Sequence, residues 1–82
     1  MAIAKVTVLN SFLPGIIEEF ICRDVDFSDL QELEYCAEEC CGEYLNMHHD
    51  VIRINLPDLT DETIAEECNY MIEEVNVDEL DL

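Results

Sequence analysis

Residues 28–45, reading SDLQELEYCAEECCGEYL, put an apolar stripe and a carboxylate stripe on opposite sides of one helix. At the helical period Leu30, Leu33, Ala37, Cys40, Cys41 and Tyr44 gather on one side, and Glu32, Glu38, Glu39 and Glu43 lie across from them. The apolar side requires a sheet to cover it. The acidic side requires water or a basic partner. Ser28 is placed to cap the N-terminus, and Asp29 suits the positive end of the helix dipole. The helix is expected to run to about Cys41, with Gly42 a fitting place for it to stop.

Ahead of that helix, Ala2 to Leu9 alternates Ala4, Val6 and Val8 against Ile3, Lys5, Thr7 and Leu9. This is a strand, and the apolar character of both its faces predicts a central place in a sheet. Leu13-Pro14-Gly15 reads as a turn, leading into a short helical turn through Ile16, Ile17 and Glu18. Phe20 to Phe27 is expected as a second strand with Ile21, Val25 and Phe27 on its apolar side.

After the helix, Val51 to Leu56 sets Ile52, Ile54 and Leu56 against Val51, Arg53 and Asn55, which predicts a third strand closed by Pro57. Thr60 is expected to cap a second helix from Asp61 to about Val75, burying Ile64, Cys68, Met71, Ile72 and Val75 and turning Glu62, Glu66, Glu73 and Glu74 outward. The reading is a small α/β (α+β) domain over residues 1–75, in the order strand, strand, helix, strand, helix, with an acidic tail over residues 76–82. In it a three-stranded sheet is covered on one face by two helices. The other face is left for a second copy of the chain or another partner, because contiguous apolar patches are uncommon on soluble monomers.

The 82 residues carry 21 acids against 3 bases, a net charge of −18, while half of them are apolar and only two each are Gly and Pro. That composition belongs to a folded domain and not to a disordered acidic tail. The charge disfavours direct binding to nucleic acid or to anionic membranes, both of which attract Lys and Arg. No long apolar run or signal-peptide pattern is present, and a cytoplasmic protein is expected. Five cysteines, Cys22, Cys36, Cys40, Cys41 and Cys68, are then thiols that pack as small apolar residues.

No catalytic, metal or cofactor site is expected. Surface carboxylates lack the environment that splits the pKa values of an acid–base pair. Cys36 and Cys40 lie one helical turn apart, and His48, His49 and Cys68 are further potential ligands. Their spacings match neither a Cys-x-x-Cys nor a His-x-x-x-His zinc signature. A nucleophilic Cys40 or Cys41 would need a cationic neighbour, and carboxylates surround both.

The carboxylate rows themselves call for a reason, because like charges four residues apart, as in Glu39 and Glu43 or Glu62 and Glu66, each cost a helix about 0.2–0.5 kcal/mol. Neither predicted helix contains a Lys or Arg. Carboxylates four apart rise about 6 Å along a helix, close to two axial steps of about 3.4 Å along one DNA strand. Glu32, Glu38, Glu39, Glu43, Glu62, Glu66, Glu73 and Glu74 are therefore the candidate partner-binding residues, standing where phosphates would.

The pattern Lys5-Val6, Asn10-x-Phe12, Ile16-Ile17 and Glu19-Phe20, with Cys41-Gly42, Leu45 and Val51 to Leu56 further on, resembles the viral ring nuclease family. These are archaeal-virus and phage proteins that degrade cyclic oligoadenylate to defeat type III CRISPR immunity. Leu13 stands where that family has Ser, Asp29 and Leu30 lie where it has Gly-His, and its late Arg falls near Tyr70 or Met71. The resemblance thus implies a shortened α/β homodimer and a viral counter-defence role without the family's catalysis. Two functions are expected from these readings. The first is an anti-CRISPR-like DNA mimic that inhibits a host defence complex by binding its basic, nucleic-acid-binding surface. The alternative is a cyclic-nucleotide-binding or ring-nuclease-like protein built at a homodimer interface.

Overall fold

A computed structural model describes residues 2–76. They form β1 (Ala2–Asn10), β2 (Ile17–Val25), α1 (Leu30–Met47), α2 (His49–Asn55), α3 (Asp61–Glu66) and β3 (Cys68–Val75). The fold is mixed α/β: a three-stranded antiparallel sheet in the order β2-β1-β3, with its helices packed on one face. β1 is central, as its two apolar faces require, with Ala4, Val6 and Val8 fully buried beneath the helices. No helix among the described residues is long and apolar enough to cross a membrane.

Leu13-Pro14-Gly15-Ile16 makes the first connection. Ile16 N–H donates to the Leu13 carbonyl at 3.1 Å, and Gly15 has φ +86°. Pro in the second and a positive-φ Gly in the third position give a type II turn. That turn leads directly into β2, and the expected helical turn at residues 16–18 does not form. Pairing with β1 sets Val6 opposite Phe20 and Ala4 opposite Cys22, so Phe20 and Cys22 face the helices. Ile21, expected inside, points to the other face and is exposed. A bulge then carries Val25 into the core: Val25 pairs with Ala2, leaving Arg23 and Asp24 to share the span opposite Ile3. Asp24 takes φ 58° there, the left-handed conformation that Asp tolerates better than most residues.

Asp29, not Ser28, caps α1, its Oδ1 accepting from Gln31 N–H at 3.1 Å and Glu32 N–H at 3.3 Å. Ser28 instead donates its N–H and Oγ–H to Asp26 Oδ1 at 3.0 and 2.6 Å. The helix also runs through Gly42 to Met47. A mid-helix Gly costs about 1 kcal/mol relative to Ala, whereas burying a large side chain contributes about 1.5–3 kcal/mol. Tyr44, two residues past Gly42, is fully buried with its hydroxyl donating to the Ile16 carbonyl at 2.7 Å, so continuation wins. The buried stripe is Cys36, Ala37, Cys40 and Tyr44, flanked by Leu33 and Cys41. Leu30, expected in it, starts the helix ahead of the packed turns and is 73 % exposed.

The second half of the chain departs most from the sequence reading. Val51 to Asn55 is helical, belonging to α2, which follows α1 after the single residue His48 and ends on Leu56 as its C-cap. Ile52 and Leu56, four apart, pack inward, while Ile54 is 78 % exposed. The i, i+4 spacing hid inside what also reads as alternation. Thr60 does cap α3, its Oγ1 accepting from Thr63 N–H at 3.2 Å, but α3 ends at Glu66. Cys68–Val75 is the third strand. Its pairing puts Tyr70 opposite Val8, Ile72 opposite Val6 and Glu74 opposite Ala4 on the helix side, and turns Met71, Glu73 and Val75 the other way. A helix there would leave one edge of β1 without hydrogen bonds, and the sheet ladder decides against it. The strand order along the chain is therefore strand, strand, three helices, strand. Of the expected acidic tail, residues 77–82 lie outside the described residues.

Candidate functional site

α1 places Glu38, Glu39 and Glu43 in solvent and leaves Glu32 half-buried, and α3 exposes Glu62 and Glu66. Their positions follow from packing: α1 turns Cys36, Ala37, Cys40 and Tyr44 down onto the sheet, and α3 turns down Ile64, so Glu38, Glu39, Glu43, Glu62 and Glu66 face away. None of these six carboxylates has a cationic partner among the described residues, whose ion pairs all involve other acids. Tyr35, beside Glu39, is held above its ordinary pKa first by its hydrogen bond to that carboxylate and then by its charge. α1 and α3 sit side by side. A groove of about 360 Å³ between them and β3 is lined by Glu38, Cys41, Gly42, Leu45, Ala65, Cys68 and Tyr70.

Glu73 and Glu74, expected on this helical surface, are on β3 and leave it. Glu73 lies on the far face of the sheet with its Oε1 3.1 Å from Lys5 Nζ, and Glu19 Oε2 approaches the same ammonium at 3.6 Å. Glu73 and then Glu19 hold Lys5 above its ordinary pKa, keeping it charged. Glu74 lines a hollow with Asp26 and Ser28 at the opposite end of β3 from α3. Arg53 bonds Asp61. Two of the three bases are thus committed within the fold.

The far face of the sheet is a second surface. Lys5, Glu19 and Glu73 occupy its middle, and Ile17, Ile21 and Met71 surround them, each more than 40 % exposed. Among its described residues Ile3 alone is buried. Sequence reasoning anticipated an uncovered face but assigned Ile21 and Met71 to the core. Parity along β2 and β3 depends on the bulge and on where β3 starts, neither of which leaves a distinct sequence mark.

The histidines separate. His48 packs edge-on against Tyr44, with ring centroids 5.0 Å apart, and its Nε2 is 3.3 Å from Glu18 Oε1. His49 is exposed beside Asp50. Neither meets a cysteine, so a Cys–His pair does not assemble.

The cysteines, by contrast, converge. Cys22 Sγ, from β2, is 3.7 Å from Cys40 Sγ, and the Cys22, Cys36 and Cys40 sulfurs all lie within 4.8 Å of one another. Burial, then the Cys22 sulfur, pushes the Cys36 and Cys40 thiols up to about 12. Burial followed by Cys68 pushes Cys41 up to about 11. Nearby carboxylates act in the same direction but come last among the causes. Such thiols are protonated and weakly nucleophilic near neutrality. Cys36 and Cys40 were visible as a pair one turn apart, while the third member arrives from β2. Its alternation with Phe20 was the signal that could have placed it.

Compared with known protein families, curated proteins and solved structures, the chain matches none of them.

Proposed function

We propose that this is a non-enzymatic acidic inhibitor that lays its α1 and α3 carboxylates on a basic, nucleic-acid-binding surface of a protein partner, standing in for phosphates. One observation carries this reading: Glu32, Glu38, Glu39, Glu43, Glu62 and Glu66 sit on two adjacent helices without Lys or Arg, and none has an internal counter-charge among the described residues. Unpaired carboxylates one turn apart destabilise their own helices, and solubility is satisfied with far fewer. A partner that neutralises them offsets that cost. Association is then steered by charge, fast at low salt and weakened steeply by added salt.

The narrower role, a viral counter-defence protein directed at a CRISPR-type complex, rests on the resemblance of the Lys5 to Phe20 pattern to the viral ring nucleases. The alternative of a nucleotide-binding protein has less support, because an anionic ligand needs free cations. Lys5 is held between Glu19 and Glu73 and Arg53 by Asp61, which leaves Arg23 as the one Lys or Arg without an ion pair among the described residues.

The test is capture from a host lysate at low salt on the immobilised protein, with duplex DNA and added salt as competing eluents. A nucleic-acid-binding protein released by both is expected. A folded variant carrying Glu39→Lys, Glu43→Lys, Glu62→Lys and Glu66→Lys is expected to capture nothing. Equal capture by that variant, or failure of DNA to compete, shows the reading to be wrong.

A further inference from the structure

We propose that Cys22, Cys36 and Cys40 form a three-thiolate site for one soft d10 metal ion, filled by Cu(I) in preference to Zn(II). The three sulfurs come from two elements, Cys36 and Cys40 from successive turns of α1 and Cys22 from the facing position on β2. They converge to mutual separations within 4.8 Å, the closest being 3.7 Å between Cys22 and Cys40. An ion bonded to three sulfurs at about 2.3 Å in one plane sets them about 4.0 Å apart. Shifts of no more than about 0.8 Å therefore suffice.

Packing alone does not require three sulfurs to meet at one point. The neighbouring core positions Ala4, opposite Cys22 on β1, and Ala37 on α1 are filled without sulfur. Among the described residues no His, Asp or Glu joins the three cysteines as a fourth ligand. Closed zinc sites are four-coordinate, whereas thiolate-only sets suit Cu(I). Cys22 is half-buried while Cys36 and Cys40 are buried, which gives the ion a route in from the β2 side. Loading forms three S–Cu bonds and breaks three S–H bonds. The three protons pass to the buffer, and no electron is transferred.

The experiment is an anaerobic titration of the fully reduced protein with Cu(I) against bicinchoninate, with Zn(II) titrated separately. One Cu(I) per chain is expected, with near-ultraviolet thiolate-to-copper absorption, a single shell of sulfur scatterers in X-ray absorption and a raised thermal midpoint. Cys22→Ser, the least buried substitution, is expected to weaken binding by more than about 100-fold with its far-ultraviolet spectrum unchanged. The double variant Cys41→Ser, Cys68→Ser is expected to bind as the parent does. The assignment is overturned by failure to retain copper against the chelator, by unchanged affinity in Cys22→Ser, by loss of binding in the double variant alone, by oxygen or nitrogen in the first shell, or by Zn(II) binding in preference to Cu(I).

Discussion

Asn10 holds three elements together and is nearly inaccessible at 2 % exposure. Its Nδ2 donates to the Ile64 carbonyl at 2.8 Å, where α3 ends, and its Oδ1 accepts from Phe12 N–H at 2.9 Å in the turn after β1. Asn10→Ala leaves Phe12 N–H without its partner and the Ile64 carbonyl with Glu67 N–H alone, at 3.2 Å. A loss of about 1–3 kcal/mol is expected in urea unfolding; stability within about 0.5 kcal/mol of the parent counts against this role. At the other end of the sheet, Asp26 is held below its ordinary pKa of 3.8 by Ser28, the hydroxyl contributing most and the backbone N–H next. A lowered carboxyl pKa stabilises the fold above the ordinary value, and that contribution disappears as pH falls through the folded-state value. Ser28→Ala is expected to move the Asp26 titration, followed by carboxyl carbon resonances, upward towards 3.8; an unmoved midpoint shows that Ser28 does not set it. The Asp26–Ser28 contact lies within three consecutive residues, whereas the Ile64 carbonyl reaches Asn10 only because the fold brings α3 to the end of β1.

At the scale of the element, Gly42 offers the sharpest contrast between stopping and continuing a helix. A helix-ending Gly takes a left-handed backbone that Ala resists, whereas a Gly inside a helix is improved by Ala. Beyond its chain neighbours and the backbone of its own helix, no atom lies within 4 Å of a Cβ added at Gly42. Gly42→Ala is expected to raise stability by about 0.5–1 kcal/mol, read as a higher urea midpoint; destabilisation would place the helix end there after all. The exchange of roles between Val51 to Leu56 and Cys68–Val75 has one origin. Each segment carries apolar residues that satisfy both the strand and the helix period over so short a span, Ile52 with Leu56 in the first and Cys68 with Ile72 in the second. Local pattern does not separate them. The free edge of β1 does, since it takes as its partner the segment whose alternate residues match Val6 and Val8.

For the molecule as a whole, −18 distributed over 82 residues is self-repulsive. Added salt screens it over about 10 Å at 0.1 M, so the thermal midpoint is expected to rise with sodium chloride at the same time as partner binding weakens. Opposite salt responses of folding and binding are what the proposed charge-steered inhibitor predicts; a midpoint that falls with salt contradicts the self-repulsion. The homodimer that the family resemblance implies is expected to use the far face of the sheet, where Ile17, Ile21 and Met71 are exposed. Sedimentation of the wild type as a dimer and of Met71→Lys as a folded monomer is the expected outcome, and a monomeric wild type contradicts it.

The sequence by itself determined the mixed α/β class, the central strand, the Pro14-Gly15 turn, the Thr60 cap and the base-free acidic helix, because each is written in contiguous residues whose chemistry acts locally. Which segment became the third strand, which side of β2 and β3 met the helices, and the meeting of Cys22 with Cys36 and Cys40 were decided by tertiary structure alone. Those outcomes depend on hydrogen bonds and packing between residues many positions apart, and no single stretch of chain carries them.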